Sequence, residues 1–247
     1  MLKRIFLIWL LVITLWMPSM LVAGQVGIFI ANNLHSGGGG GGTATYVSAN
    51  AKTCYTATSC AWANNATTGH LLIVGASWQD NTSDPTLAST GSVCPSWSSI
   101  AVLHSTYDVV SSKIFYCTAA ATGAVTPTLT GCGPDCGLTD NEFSTTSSWG
   151  TASPFTNVAG NGAPVAPNIS ITLSASNSVV LIRVSDEAAG SDCSGSVSPF
   201  TIDGVESSHY ATSWYDVAAT PTTYTPSFTG CAASKSWITQ AIAIKVN

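Results

Sequence analysis

Apolar residues along this chain come in short runs separated by Ser, Thr, Gly and Pro, a spacing that predicts strands. Residues 68–77 hold the clearest run, Leu71-Leu-Ile-Val74 between turn residues, and predict a central strand covered on both faces. Residues 177–185 echo it with Val179-Val-Leu-Ile182. Further strands are expected at 100–104, 113–118, 124–130, 169–173, 201–205, 209–217, 223–229 and 237–246. In the last of these Ile238, Ile242, Ile244 and Val246 share one face, with Gln240 the exception, so it reads as a half-buried closing strand. After the N-terminus no stretch shows a sustained helical period with a cap.

The pattern repeats. Phe115-Tyr-Cys-Thr-Ala-Ala-Ala-Thr-Gly-Ala-Val-Thr-Pro-Thr-Leu-Thr-Gly-Cys132 aligns without a gap, at an offset of 99, on Trp214-Tyr-Asp-Val-Ala-Ala-Thr-Pro-Thr-Thr-Tyr-Thr-Pro-Ser-Phe-Thr-Gly-Cys231. Eight of eighteen positions are identical, where this composition would give roughly two by chance. The runs at 68–77 and 177–185 align at an offset of 108, so a loop differs in length between the two matches. The expected fold is all-β: an antiparallel β-sandwich, jelly-roll or immunoglobulin-like, spanning 43–247 with halves at about 43–150 and 151–247. Two tandem immunoglobulin-like domains are the alternative.

Composition places this fold outside the cell. Charged residues make up 8% of the chain, so Ser, Thr, Asn and Gly must solvate its surface. The net charge of -5 becomes two units more negative once a leader carrying Lys3 and Arg4 is removed, and no basic cluster remains to meet nucleic acid. Residues 1–23, with a basic start, an apolar run and small residues at Ala23-Gly24, read as a secretory signal peptide. An uncleaved leader would be the chain's one membrane attachment. Gln25 stands where a lipoprotein would carry Cys. Residues 24–42 hold a short apolar segment at 26–34 and six glycines at 37–42, a flexible linker or loop with no phosphate-cradle pattern. The protein is expected to be secreted, with the cell surface or periplasm as variants of that address.

Eight cysteines in such a chain predict disulfides. The offset of 99 places Cys94 on Cys193 and Cys132 on Cys231, which suggests Cys94–Cys132 and Cys193–Cys231. It also places Cys117 on Asp216 and Cys136 on Lys235, which suggests Cys117–Cys136 and leaves Cys54 with Cys60, within a pinched loop or hairpin at 43–63. A zinc site on Cys117, Cys132 and Cys136 is the rival, and an oxidising compartment disfavours it.

Candidate chemistry is sparse. Asp140 and Glu142 would share one face of a strand, an arrangement compatible with a glycosidase pair or with solvated carboxylates. Asp186-Glu187 and Asp203 with Glu206 are open to the same two readings. His35, His70, His104 and His209 are dispersed and no Gly-x-Ser-x-Gly elbow is present. Asp80-Asn-Thr-Ser-Asp84 offers oxygen ligands to a bracing calcium ion without the spacing of a known calcium loop; no other cofactor is expected. Of the tryptophans beyond the leader, Trp62, Trp78, Trp214 and Trp237 read as core, whereas Trp97 and Trp149, among Ser and Gly, are the candidates for stacking on a sugar. Asn65, Asn81 and Asn168 head Asn-x-Ser/Thr sites.

Gly69-His-Leu-Leu-Ile-Val-Gly75, the aromatic-Tyr strand with its Thr-alternating partner, Glu142-Phe-Ser144 and the closing Ala-Ile-Ala-Ile-Lys245 together resemble a group of secreted bacterial β-sandwich proteins of mostly unknown function. The resemblance implies a fold and an address, and no activity. The expected function is a non-enzymatic binding or surface module for a glycan or cell-envelope component. A structural or self-associating surface protein and a secreted glycan-cleaving enzyme are the alternatives.

Overall fold

The computed structural model describes residues 42–54, 59–61, 63–80, 82–105, 110–133, 135–159, 169–174, 177–186, 198–206, 211–228 and 237–247. Among them every regular element is a strand, and the strands pair antiparallel. A six-stranded sheet runs in the order β1 (Ala44–Cys54), β10 (Cys136–Thr145), β4 (Leu71–Trp78), β8 (Ser111–Thr118) and β6 (Ser98–Ser99), with β7 (Leu103–His104) also on β8. A five-stranded sheet runs β11 (Trp149–Ala159), β17 (Trp237–Val246), β13 (Ser178–Asp186), β15 (Ala211–Ala219) and β14 (Thr201–Glu206). In a third sheet β9 (Gly123–Thr130) carries β2 (Ser59–Ala61), β3 (Asn64–Ala66) and β5 (Thr86–Thr90), and a ribbon pairs β12 (Ile171–Thr172) with β16 (Thr223–Tyr224). The leader, residues 26–34 and the glycine run at 37–41 lie outside the described residues.

Alternation of side chains explains how these sheets are held. Leu71 and Ile73 on β4 join Phe143, Ile114, Val179, Leu181, Ile242 and Ile244 in an apolar cluster drawn from both large sheets. The other face of β4, with Val74, Ala76 and Trp78, packs with Phe115, Leu87, Leu129 and Leu138. On β13, Val180, Ile182 and Val184 pack with Ile171, Phe200 and Phe228. Both β4 and β13 are therefore covered on two faces, as continuous apolar runs predict.

The two large sheets follow one order. Each starts at an edge strand (β1, β11), continues through the last long strand of its segment (β10, β17) and then through β4 and β8 or β13 and β15, and ends on a strand from the connection between those two (β6, β14). Registers correspond as well. Leu72 faces Cys117 as Val180 faces Asp216, the positions that the offsets of 108 and 99 equate. Glu142 faces Leu72 as Ala243 faces Val180, so from β10 to β17 the offset is 101.

Three expectations are corrected. The closing strand β17 is not half-buried: it lies between β11 and β13 and is buried from Ile238 to Ile244, because Ala241 and Ala243 on its second face pack with Ile169, Ile171, Leu173, Phe200 and Phe228, while Ile242 and Ile244 face the cluster drawn from both large sheets. Residues 43–63 do not form a hairpin, since β1 pairs with β10 and β2 with β9. The disulfides are Cys94–Cys117 and Cys132–Cys136, with Cα–Cα distances of 6.1 and 6.3 Å, in place of Cys94–Cys132 and Cys117–Cys136. Cys94 precedes β6, which pairs with β8 beside Cys117, and Cys132–Cys136 closes the β9–β10 turn. The shift of offset to 101 means that Cys136 corresponds to Trp237, so Lys235 offered no guide to its partner. Cys60 is disulfide-bonded too; the Cys54 side chain, Cys193 and Cys231 lie outside what is described.

Candidate functional site

The centre of β10 is polar yet buried. Asp140, Asn141 and Glu142 are 2, 1 and 4% exposed. In register, Asp140 and Glu142 lie opposite Val74 and Leu72 and point to one side of the sheet, whereas Asn141 lies opposite Ile73 and points to the other. The segment leading into β4 crosses the two carboxylates. Asn64 Nδ2 donates to Asp140 Oδ2 at 2.6 Å, Thr67 N donates to Glu142 Oε1 at 3.3 Å, and Ser48 Oγ donates to Glu142 Oε2 at 3.5 Å. His70 Nδ1 stands 2.6 Å from Glu142 Oε1, and a carboxylate oxygen there accepts from Nδ1–H. The two carboxylates thus anchor β3 and the turn after it. Of the pair's two expected readings, neither an open catalytic dyad nor a solvated surface pair describes this burial.

Trp149 belongs to the same end of the sheet. It heads β11, is half-buried against the cluster shared by the large sheets, and its Nε1 donates to Gly69 O at 2.8 Å, one residue before His70. The structure therefore gathers Trp149, His70 and Glu142, which are scattered in sequence. Trp97 lies elsewhere: half-buried against Val74, Leu72 and their neighbours, it donates from Nε1 to Ser89 Oγ at 3.3 Å, and Ser89 Oγ in turn donates to Cys94 O. Trp78 is core, as expected. The side chains of Trp62, Trp214 and Trp237, of Asp186, Glu187, Asp203 and Glu206, and the residues His35, His209, Asn81 and Asn168 lie outside what is described; Asn65 is exposed on β3.

At the opposite end of β4 the Asp80 loop uses its carboxylates on the chain itself. Asp80 Oδ1 accepts from Thr82 N at 2.9 Å, Ser83 N at 2.7 Å and Trp78 Nε1 at 3.3 Å, and Oδ2 accepts from Ser83 Oγ. Gly133 allows the β9–β10 turn to close on it, since a Cβ there would stand 2.2 Å from Oδ2. Asp84 is paired with Lys113 Nζ at 2.5 Å. Among the described residues no three His, Cys, Asp or Glu are grouped to hold a metal. Nearby, His104 Nδ1 is 2.7 Å from Ser111 Oγ, but that hydroxyl is buried and donates to Asp80 O, so the imidazole is its donor and does not activate it.

Burial alone would raise the Asp80 carboxyl, but hydrogen bonds from the Ser83 side chain, Ser83 N, Thr82 N and Trp78 together hold it below the ordinary value. A lowered pKa in the fold contributes stability above the unfolded-state pKa of about 4, lost as pH falls through the folded value. Asp80→Asn should therefore melt below wild type at pH 7 by a margin that shrinks in urea or thermal melts below about pH 4. A margin independent of pH would mean that the charge contributes nothing.

No family model, no curated protein and no solved structure matches this chain.

Proposed function

We propose that the chain is an exported antiparallel β-sandwich, jelly-roll or immunoglobulin-like, built of two repeat-related halves and acting as a non-enzymatic binding or surface module for a glycan or another cell-envelope component. The shared strand order and registers of the large sheets support the repeat. The Cys94–Cys117 and Cys132–Cys136 bonds suit an oxidising, extracellular compartment.

The observation that carries the binding reading is Trp149. Its ring is partly exposed and its orientation is fixed through Gly69 O, beside the exposed Thr67 and Thr68, so little freedom would be lost on stacking against a sugar. Wild-type protein titrated onto immobilised polysaccharides and peptidoglycan should bind. Trp149→Ala should weaken that binding at least about tenfold, and Trp149→Phe should retain most of it. Equal binding by wild type and Trp149→Ala would reject the site.

A second reading, self-association at the surface, is favoured by Val47 and Ile202. These large apolar side chains are 43 and 41% exposed, and they stand on β1 and β14, edge strands of the two large sheets. Wild type that binds no glycan but assembles as its concentration rises, with assembly lost in Val47→Lys, would replace the first reading by this one.

A further inference from the structure

The two large sheets touch at positions that correspond to each other. Gly75 on β4 and Arg183 on β13 are 108 residues apart, the offset that equates their strands. The fully buried Arg183 side chain lies on Gly75: a Cβ there would stand 2.6 Å from Arg183 Cδ and 2.9 Å from Nη1. In an isologous contact a residue meets its own counterpart only at the two-fold axis.

Contacts around this point join corresponding pairs of strands, β10 with β15 and β17 with β8, as such an axis requires. Thr139 on β10 is 3.0 Å from Ser213 on β15. In the other direction Gln240, the counterpart of Thr139, donates to Ala101 O at 3.0 Å, next to Ile100, whose N–H is bonded to Ile114, the counterpart of Ser213. Tyr215 stacks on Tyr46, and its counterpart Tyr116 packs into the same shared cluster.

The axis is broken at one place. Arg183 donates to Thr139 Oγ1 at 2.5 Å, Ser77 Oγ at 2.9 Å and Gly137 O at 3.5 Å. The counterparts of Ser77 and Thr139 are Ser185 and Gln240. Ser185 Oγ and Gln240 Oε1 are buried and make no hydrogen bond among the described residues. A matching pair of acceptors thus stands across the axis, where glycine occupies the position that would carry the guanidinium.

We infer that the face joining the two large sheets is a dimer interface turned inward, shaped to receive a second copy of the same half-chain and restricted to the unlike half by the Gly75/Arg183 pair. This rests on the reading of two repeat-related halves. Pairing like with like would press two buried arginines together, or set two glycines against each other with Ser77 and Thr139 unfilled on both sides.

The test uses the full chain. Arg183→Gly should lower Tm by roughly 10 °C. Adding Gly75→Arg to that variant should recover at least half of the loss, because the guanidinium now on β4 faces Ser185 and Gln240. A double variant that melts at or below Arg183→Gly overturns the inference. If Arg183→Gly does not fold, folding of the double variant supports the inference and its failure overturns it. An experimental structure separates the two ideas: halves that superpose while the double variant gains nothing keep the duplication and reject the two-fold contact, and halves that do not superpose reject the duplication.

Discussion

Trp78→Ala is expected to lower stability by about 3–5 kcal/mol, the largest loss from any single truncation proposed for this chain. Trp78 ends β4, is fully buried, and heads the fully buried side chains in volume among the described residues. Its ring is part of the buried cluster that also holds Ala76, Leu87, Leu129 and Leu138, and alanine would leave a cavity there that β4, fixed by ladders on both sides, cannot close. Its Nε1 donates to Asp80 Oδ1, so the truncation also loosens the loop that β4 runs into. For a body of this size the shift corresponds to a fall of roughly 6–20 °C in Tm. Trp78→Phe keeps most of the ring and removes the donor, and should lose about 1–2 kcal/mol. A loss below about 1 kcal/mol for the alanine variant would mean that the site collapses and that the packing is less demanding than the burial implies.

Glu142→Ala is expected to follow, with a loss of about 2–4 kcal/mol. The carboxylate accepts from Thr67 N and faces His70 Nδ1 and Ser48 Oγ, all part-buried, and removing it strands these donors under the turn before β4. Glu142→Gln retains an acceptor and should lose less than half as much. The comparison also separates a structural carboxylate from a catalytic one. A structural role predicts that the midpoint of urea unfolding falls in the order wild type, Gln, Ala with an unchanged m-value. Equal stability of all three proteins, together with polysaccharide turnover in wild type that both variants lose, would return Glu142 to the glycan-cleaving reading.

Where burial and apolarity coincide, the fold was legible in the sequence. Residues 71–74 and 179–182 lie in the first halves of β4 and β13, and Ala211–Ala219 and Trp237–Val246 occur close to where alternation places them. Besides the short β2, β3, β5 and β6, the apolar pattern does not mark β1, β10 and β11. They are long, but built from Ala, Ser, Thr, Asn, Asp and Gly, whose burial depends on partners supplied by distant segments. Nothing local in Cys136-Gly-Leu-Thr-Asp-Asn-Glu-Phe143 says that Asn64 and His70 will cover its carboxylates from some seventy residues away. Gln240, the exception to the β17 pattern, was a usable signal, as was the lone charge of Arg183 in an apolar run: both mark the polar end of the contact between the large sheets. The site was legible only in part. The Asp140–Glu142 spacing placed two carboxylates on one face, but their burial and the approach of Trp149 come from tertiary packing.

Asn141 shows a different limit. Its amide is buried on the shared face and makes no hydrogen bond among the described residues. Such a group weakens the contact where it sits, and the sequence carries no mark of it.

The start of β1 and the end of β17 meet. Gly42 N donates to Asn247 O at 2.9 Å, Asn247 N donates to Ser148 O at 3.0 Å, and Thr146 N donates to Thr43 O at 3.1 Å. Tension applied between these two neighbouring points would open the body like a zipper, rupturing ladder bonds singly instead of shearing a whole strand at once. A module tethered through both points would thus yield at low force, whereas one tethered through either alone would leave the Asp80 loop at its far tip, about 25 Å along β4.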